Sequence, residues 1–263
     1  VYKQLKILSA RPNPKNYQSI KHHLYGFQDA KKSFSTGDWL KIANKKIIEV
    51  FKRKRVPILV GGTGLYFKTL TDGLVQIPNI PVRFRNQIRN LHKKIGQDKF
   101  YKQLLKLDPL SKHKINPTDS QRSIRAYEVK KFTKISLYDW IKNTKALFKK
   151  EDFYKIYINI SREKLVKKIN IRTEKMIKMG AINEVKKLIK LKLKKNKMIH
   201  KVIGINEIKD YLNGKNNLNE MKEKVSIKTR QYAKKQRTWS RGHMSDWNMF
   251  DQSELKKIIN NLG

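Results

Sequence analysis

The chain has 263 residues, of which 62 are Lys or Arg and 21 are Asp or Glu, giving a formal net charge of +41 at pH 7. Hydrophobic residues make up 38% and aromatic residues 10%, which is enough to build a core and excludes a disordered tail. The 12 glycines and 7 prolines are too few for a collagen-like or low-complexity chain. Because cysteine is absent, disulfides and thiolate metal sites are excluded.

No apolar run reaches the length of a membrane span, and the N-terminus has the pattern of neither a signal peptide nor a transit peptide. We therefore expect a cytoplasmic protein with no membrane partner. The excess positive charge favours nucleic acid as a partner, because cationic surfaces release counterions from phosphate backbones. The alternative is that the lysines only solvate helix faces.

The first half of the chain has the order of elements of a parallel α/β sheet. Ser35 with Asp38 three residues later predicts the capped start of a helix. Val56 to Val60 has the composition of a buried strand, and the glycine loop Gly61-Gly62-Thr63-Gly64 leads into a short helix from Leu65 to about Leu70. Helix, strand, glycine loop and helix in this order indicate a sheet that binds ligands at the carboxyl ends of its strands.

The second half is mainly helical. Pro81 to about Lys114 is basic and helical between proline-containing segments, and Thr118 to Gln121 predicts another capped helix start. A second strand is expected over Tyr154 to Ile160, with its alternating apolar pattern. Helices are then expected over Arg162 to Met179, Ile182 to about Leu191, Ile203 to Leu212, and about Asn219 to Trp239.

The glycine loop could present backbone N–H groups and the start of a helix to an anion, since no Cβ blocks its approach. It is neither a Walker A loop nor a dinucleotide fingerprint, because the lysine and glycine spacings differ. The alternative is a tight turn that Thr63 caps.

The last long helix carries a row of cations. Arg230, Lys234, Arg237 and Arg241 recur at spacings of four, three and four residues, which predicts one basic stripe. Val225, Tyr232 and Trp239 form a second stripe suited to a core. Arg can pair bidentately with phosphate, and Gln236 could contact a base edge or ribose. A solvated amphipathic face is the alternative, as it is for the cluster of Gln121, Arg122 and Arg125.

The histidines give no metal site. His22 and His23 are adjacent and point in different directions, and the other four are scattered, so no metal ligands are predicted in this chain.

Taken together, six segments in the same order resemble the tRNA dimethylallyltransferase (tRNA isopentenyltransferase) family, from Val1 to about Trp247. The segments are Val1 to Lys3 with Ser9 to Pro12, His22 to Leu24 (similar to a family strand), Leu59 to Tyr66, Asp119 to Ala126, Arg172 to Gly180, and Thr229 to Arg241. The resemblance implies a P-loop kinase-like α/β core over residues 1–80 and 115–263. It also implies a helical insertion at 81–114 that contacts tRNA, and a helical C-terminal region.

By this resemblance the enzyme transfers a dimethylallyl group from dimethylallyl diphosphate to N6 of the adenosine 3′ of the anticodon. Gly61, Gly62 and Thr63 would bind the diphosphate, and Thr63 and Arg172 would be catalytic. Contacts with the tRNA anticodon arm would come from Arg83, Gln121, Arg122, Ser123, Ile124, Arg125, Lys201, Gly204, Lys234, Lys235, Gln236, Arg237, Thr238, Trp239 and Arg241.

Two departures from the family pattern bear on these expectations. The family's first strand, its Walker A loop and an Asp-Ser pair would precede Val1, so the lysine for diphosphate, the hydroxyl for Mg²⁺ and the proton-accepting aspartate are absent. We therefore expect either an N-terminally truncated chain or an incomplete sequence, inactive by itself, with Mg²⁺ held by the missing P-loop. Ile205 and Asn206 replace an aromatic and a basic residue, which would weaken one tRNA contact.

Two other functions remain open at this point. An adenylate isopentenyltransferase, acting on a free nucleotide, shares the core, although the basic helix argues against it. A non-catalytic RNA-binding remnant would keep the cationic surface without turnover. A monomer is expected in each case.

Overall fold

The computed structural model of the chain describes residues 1–17, 20–194 and 197–254. The α-helices are α1 (Thr36–Lys52), α2 (Gly64–Thr71), α3 (Val82–Ile95), α4 (Gln97–Leu107), α5 (Ser120–Thr133), α6 (Leu137–Lys142), α7 (Arg162–Lys178), α8 (Ala181–Lys190), α9 (Ile205–Leu212) and α10 (Leu218–His243). The strands are β1 (Ile156–Asn159) and β2 (Asn248–Asp251). Short 3-10 helices occupy Pro14–Asn16, Pro109–Ser111, Lys150–Asp152, Met198–Lys201 and Gln252–Glu254.

The chain divides into two compact units. Unit 1 comprises Val1–Phe67 and Phe153–Gly263, and unit 2 comprises Lys68–Asp152. Unit 2 therefore extends on both sides of the helical insertion expected at 81–114. The insertion itself stays a prediction.

Side-chain caps set the starts of several helices, as the sequence predicts. Ser35 accepts a hydrogen bond from the Asp38 N–H while the Asp38 carboxylate accepts one from the Ser35 N–H, so the capping box of α1 is confirmed. Asn217 and Glu220 form the same arrangement at α10. The cap of α5 is Asp119, one residue after the expected Thr118, because the Asp119 carboxylate accepts from the Arg122 N–H.

The core of unit 1 lies among α8, α9 and α10. Small or aliphatic side chains from these helices meet the N-terminal segment, and burying them is the main favourable term in folding. The fully buried members include Leu5, Ala181, Val185, Ile199, Ile205, Ile208, Met221 and Val225.

Unit 1 contains a small parallel sheet. β1 pairs with β2 in parallel register, from Ile156 opposite Asn248 to Asn159 opposite Asp251. The expected strand over Tyr154 to Ile160 is confirmed in a shorter form, whereas β2 was not predicted from the sequence. Because β1 and β2 lie on either side of α7 to α10 in the chain, their pairing closes this helical segment on itself.

Val56 to Val60 does not form the buried strand that its sequence predicts. Val56, Ile58 and Val60 are 81%, 80% and 81% exposed, and the segment pairs with no strand in the described part of the chain. The segment His22 to Leu24, expected as another strand, is also unpaired there. An apolar alternating pattern favours an extended backbone, but a strand also needs a neighbour that accepts its hydrogen bonds.

Unit 2 is a helical layer in which α3, α4 and α5 pack together. Phe100, Leu104 and Val129 are fully buried. Asp108 is also buried, and its carboxylate accepts hydrogen bonds from the hydroxyls of Ser111 and Ser136, which offset the cost of its burial.

None of the helices within the described ranges is long and apolar enough to cross a membrane.

A single carboxylate ties the N-terminal segment to α8. Glu184 accepts hydrogen bonds from the backbone N–H groups of Lys6 at 2.5 Å, Ile7 at 2.8 Å and Leu8 at 3.0 Å. Charge-assisted hydrogen bonds of this kind are stronger than neutral ones.

We expect Glu184→Ala to lower the free energy of unfolding by about 2–3 kcal/mol, because three N–H groups, two of them partly buried, lose their acceptor. Urea denaturation of the variant measures the change. Glu223→Ala, at an exposed position of α10, is the control and should change stability by less than about 0.5 kcal/mol. Equal effects of the two substitutions would contradict the role of Glu184.

Candidate diphosphate and nucleic-acid site

The glycine loop stands exposed at the start of α2. Gly61, Gly62 and Thr63 are exposed, and the Thr63 carbonyl accepts a hydrogen bond from the Tyr66 N–H at 2.9 Å as the helix begins. The first-turn N–H groups of a helix lack intrahelical acceptors and lie at its positive end. These N–H groups are donors of the kind that anions accept from, and the anion site expected at this loop stays a prediction.

Aromatic contacts fix the helix behind this loop. Tyr66 stacks on Trp39 of α1, with ring centroids 4.1 Å apart and planes within 4°. Phe67 meets Trp247, which lies between α10 and β2, edge to face at 5.4 Å. The start of α2 is thus anchored to two other parts of unit 1.

The loop also packs directly against α10. The Gln236 amide Nε2 donates a hydrogen bond to the Gly62 carbonyl at 2.7 Å. A Cβ added to Gly64 would lie 2.0 Å from the Trp239 ring, so only glycine fits there. The glycines were expected to give room to an anion, but two of them give room to α10.

The basic stripe of α10 forms as predicted on the outer part of the helix. Lys234 and Arg241 are exposed, Arg230 and Arg237 are partly buried, and within the described ranges none of the four makes an ion pair with an acidic side chain. Lys235 and Thr238 are exposed beside them. Unpaired cations in a row suit the phosphates of a nucleic acid.

The expected apolar stripe of α10 is wrong at its centre. Val225 is 2% exposed and belongs to the core, but Tyr232 is 46% exposed. Trp239 is partly buried and packs on the glycine loop, not in the core cluster. The helix leaves the core after its first half, so the later turns lie against the loop and solvent.

Arg172 lies exposed on α7, which is fastened to α10. The neighbouring Thr173 is buried and its hydroxyl bonds to the Ser226 hydroxyl at 3.1 Å. Lys222 and Glu174 add an ion pair between the same helices at 2.9 Å. The guanidinium of Arg172 is therefore carried on a rigid helix pair.

The side chains and backbone of the segment before α9 mainly stabilise the fold. Lys201 is exposed, but Gly204 is buried with φ near +100° and its N–H donates to Glu207 at 2.7 Å. Ile205 is fully buried in the core, and the Asn206 amide donates to the His200 carbonyl at 3.3 Å. The tRNA contact expected at Gly204 stays a prediction, and its backbone conformation explains the glycine.

In unit 2 the predicted tRNA-binding residues are only partly accessible. Arg83, Gln121 and Arg122 are exposed, and Ile124 is partly buried. Ser123 is fully buried, where its hydroxyl accepts from the Gln97 amide and donates to the Asp119 carbonyl. Its side chain joins α4 to α5, and the tRNA contact expected at Ser123 stays a prediction.

The sequence did not predict that an acidic residue, Glu128, is buried beside the arginines of α3 and α5. The Glu128 side chain is 4% exposed, with Arg89 Nε at 3.7 Å from one carboxylate oxygen and an Arg125 nitrogen at 3.8 Å from the other. These distances exceed hydrogen-bond length, and Glu128 Oε1 and Arg85 Nε are buried without a hydrogen-bond partner. An acid three residues after Arg125 on a basic helix was the available signal.

This cluster perturbs the pKa values of its own members. Burial raises the pKa of Glu128 above 4.5, against the opposing pull of Arg89, Arg85 and Arg125. Burial, and then the neighbouring Arg85, lowers the pKa of Arg125. Three guanidinium groups thus share one carboxylate, which leaves an excess of positive charge at this face of unit 2.

No group of three or more His, Asp or Glu side chains that could hold a metal ion occurs in the ranges that the structure describes.

The IPP transferase family model matches residues 1–243. The chain belongs to the IPP transferase family. The resemblance seen in the sequence is therefore confirmed. A tRNA dimethylallyltransferase of Pelagibacter ubique (strain HTCC1062) is 56% identical over 262 residues, covering 100% of this chain and 84% of the relative. One from Rickettsia massiliae (strain Mtu5) is 42% identical over 248 residues, covering 94% of this chain and 68% of the relative.

Solved structures of transferases share the fold. The full-length tRNA isopentenylpyrophosphate transferase from Bacillus halodurans aligns with a TM-score of 0.68 at 28% identity, covering 100% of this chain and 84% of that one. A eukaryotic dimethylallyltransferase acting on tRNA aligns with a TM-score of 0.81 over 95% of this chain and 64% of that one. At 24% identity this likeness shows the fold alone. The α/β class is thus confirmed as a helix-rich fold with a small parallel sheet.

The raised pKa of Glu128 makes stability depend on pH. Between 4.5 and the raised value the folded protein binds more protons than the unfolded chain, so the free energy of unfolding falls as pH rises through this window. We expect Glu128→Gln to remove this dependence. Urea denaturation from about pH 4 to about pH 7 should show wild type losing stability relative to the variant as pH rises. Parallel curves would contradict the raised pKa.

Proposed function

We propose that the full-length gene product transfers a dimethylallyl group from dimethylallyl diphosphate to N6 of the adenosine 3′ of the anticodon in tRNA. The observation that carries the proposal is the contact between the glycine loop and α10, which joins an anion loop to a row of cations within one unit. The name of the 56% identical relative, tRNA dimethylallyltransferase, supports the same activity.

The glycine loop would bind the diphosphate. The exposed Thr63 hydroxyl and the N–H groups at the start of α2 are donors that suit phosphate oxygens. Arg172, exposed on the helix pair of α7 and α10, would add a cation to the leaving group. Gly61 and Gly62 complete the loop without side chains in the way.

The reaction would be a substitution at C1 of the dimethylallyl group. The lone pair of adenosine N6 forms the new C–N bond while the C1–O bond breaks, its electron pair leaves with diphosphate, and N6 gives one proton to solvent water. Negative charge therefore develops on the bridging oxygen. N–H donors, the Thr63 hydroxyl and Arg172 would stabilise that charge more in the transition state than in the ground state.

The tRNA would be held by cations of both units. In unit 1 these are Lys201, Lys234, Lys235, Arg237 and Arg241, and in unit 2 they are Arg83, Arg122 and Arg125. Thr238, Gln121 and Ile124 would add neutral contacts. A target base turned out of its stack needs a pocket with basic side chains around it, and the cations of α10 in unit 1 are suited to that role.

The same proposal covers the core fold, the oligomeric state and the location of the protein. The relation to the solved transferases supports a P-loop kinase-like core. The protein would be a monomer, and it would act in the cytoplasm, where its tRNA substrate is found.

The test is transfer of a labelled dimethylallyl group by the full-length gene product to tRNA and to adenosine monophosphate in parallel. We expect label in tRNA that has adenosine next to the anticodon, and none in the free nucleotide. Label in the nucleotide instead would indicate an adenylate isopentenyltransferase. Binding of tRNA without transfer of label to either acceptor would indicate a non-catalytic RNA-binding protein.

In the same assay, substitutions at Thr63 and Arg237 should distinguish the residues that act on diphosphate from those that bind tRNA. Thr63→Ala removes a donor to the developing charge and should lower kcat roughly tenfold to a hundredfold with tRNA affinity unchanged, while Thr63→Ser should keep most activity. Arg237→Ala should weaken tRNA binding and reduce its salt dependence while leaving the Km for dimethylallyl diphosphate unchanged. The reverse pattern would contradict both assignments.

A further inference from the structure

The amide of Gln236 is already used within the protein. Its Nε2 donates to the Gly62 carbonyl at 2.7 Å, whereas the sequence alone suggested that this side chain contacts a base or ribose. We propose that Gln236 is a positioning residue that orients the glycine loop for diphosphate, with Trp239 as its support. The inference rests on the proposed function, since it concerns how that site takes its diphosphate.

The neighbours of each glycine show how closely the loop packs against α10. A Cβ on Gly62 would lie 2.3 Å from Gln236 Nε2, and a Cβ on Gly64 would lie 2.0 Å from the Trp239 ring. A Cβ on Gly61 would meet only the edge of the Phe67 ring at 3.8 Å, an ordinary contact. The Trp239 ring therefore requires glycine at position 64, whereas a Cβ at position 62 would displace the Gln236 amide from its hydrogen bond.

The hydrogen bond fixes the direction of a donor in the loop. The peptide between Gly62 and Thr63 is planar and trans, so its C=O and N–H point in opposite directions. When Gln236 holds the Gly62 carbonyl toward α10, the Thr63 N–H is directed away from α10. This N–H lies beside the exposed Thr63 hydroxyl, so the two donors are available to one anion.

Trp239 keeps this geometry in place. Its ring stacks on His243 one turn later, with centroids 4.4 Å apart and planes within 2°, and the His243 ring nitrogen Nδ1 is 2.9 Å from the Trp239 carbonyl oxygen. The ring is thus held at the start of α2, where Gly64 abuts it. One helix supplies both the support of the loop and the exposed cations Lys234 and Arg241.

Gln236→Met tests the role because methionine keeps the length of the side chain and removes the donor. We expect the full-length protein to bind inorganic diphosphate about three- to tenfold more weakly, the loss of one hydrogen bond. Its affinity for tRNA should stay within about twofold, since no tRNA contact is removed. Amide hydrogen exchange of the peptide covering residues 61–66 should become faster. Calorimetry and mass spectrometry give these readouts without turnover.

Arg237→Met is the matched control, because Arg237 is the next residue on α10 and makes no side-chain hydrogen bond to the loop within the described residues. It should weaken tRNA binding and leave both diphosphate affinity and exchange of residues 61–66 at the wild-type values.

A double-mutant cycle tests the contact itself. Gly62→Ala should weaken diphosphate binding, because its Cβ displaces the Gln236 amide. Gln236→Ala should do the same. The variant that carries both substitutions should bind diphosphate no more weakly than the weaker-binding of these two single variants, since both changes disrupt one interaction. Additive losses would overturn the proposal.

The proposal would also be overturned if Gln236→Met weakened tRNA binding and left diphosphate affinity and loop exchange unchanged. Failure of the proposed function has a different signature. A wild-type protein that transferred no dimethylallyl group would contradict the function, while diphosphate affinity and exchange of the variants would still decide the role of Gln236.

Discussion

The contact between α10 and the glycine loop is the constraint on which the candidate site depends. The first half of α10 is held in the core by Met221 and Val225, so its second half is fixed in place by the rigidity of the helix. That second half offers Gln236 and Trp239 to the loop and cations to solvent. A loop of glycines would otherwise have many conformations, and ordering it in advance removes that entropy cost from substrate binding.

The second organising feature is the position of three acidic side chains. Glu184 binds three backbone N–H groups, Glu207 is buried between the Gly204 N–H and Lys228 at 2.5 Å, and Glu128 lies beneath three arginines. None of these three acids pairs with Arg230, Lys234, Arg237 or Arg241 of α10 within the described residues. The cations of that helix therefore remain available to polyanions, which the net charge of +41 attracts.

Much of the fold and part of the site could be predicted from the sequence. The caps of α1 and the long helices follow from local rules, because Ser, Asp and Asn satisfy the first N–H groups of a helix in any context. The sequence predicted a buried strand over Val56 to Val60 wrongly, because strand pairing depends on a partner that the local pattern does not encode. The burial of Ser123, the exposure of Tyr232 and the use of Gln236 depend on which helices meet, which is tertiary information.

The most direct measurement of the central claim is the position of the new group in the tRNA. After reaction of the full-length gene product with tRNA and dimethylallyl diphosphate, nuclease digestion and mass spectrometry identify the modified nucleotide. We predict a dimethylallyl group on the base of the adenosine 3′ of the anticodon and on no other nucleotide. A group on a different nucleotide, or an unmodified tRNA, would contradict the account.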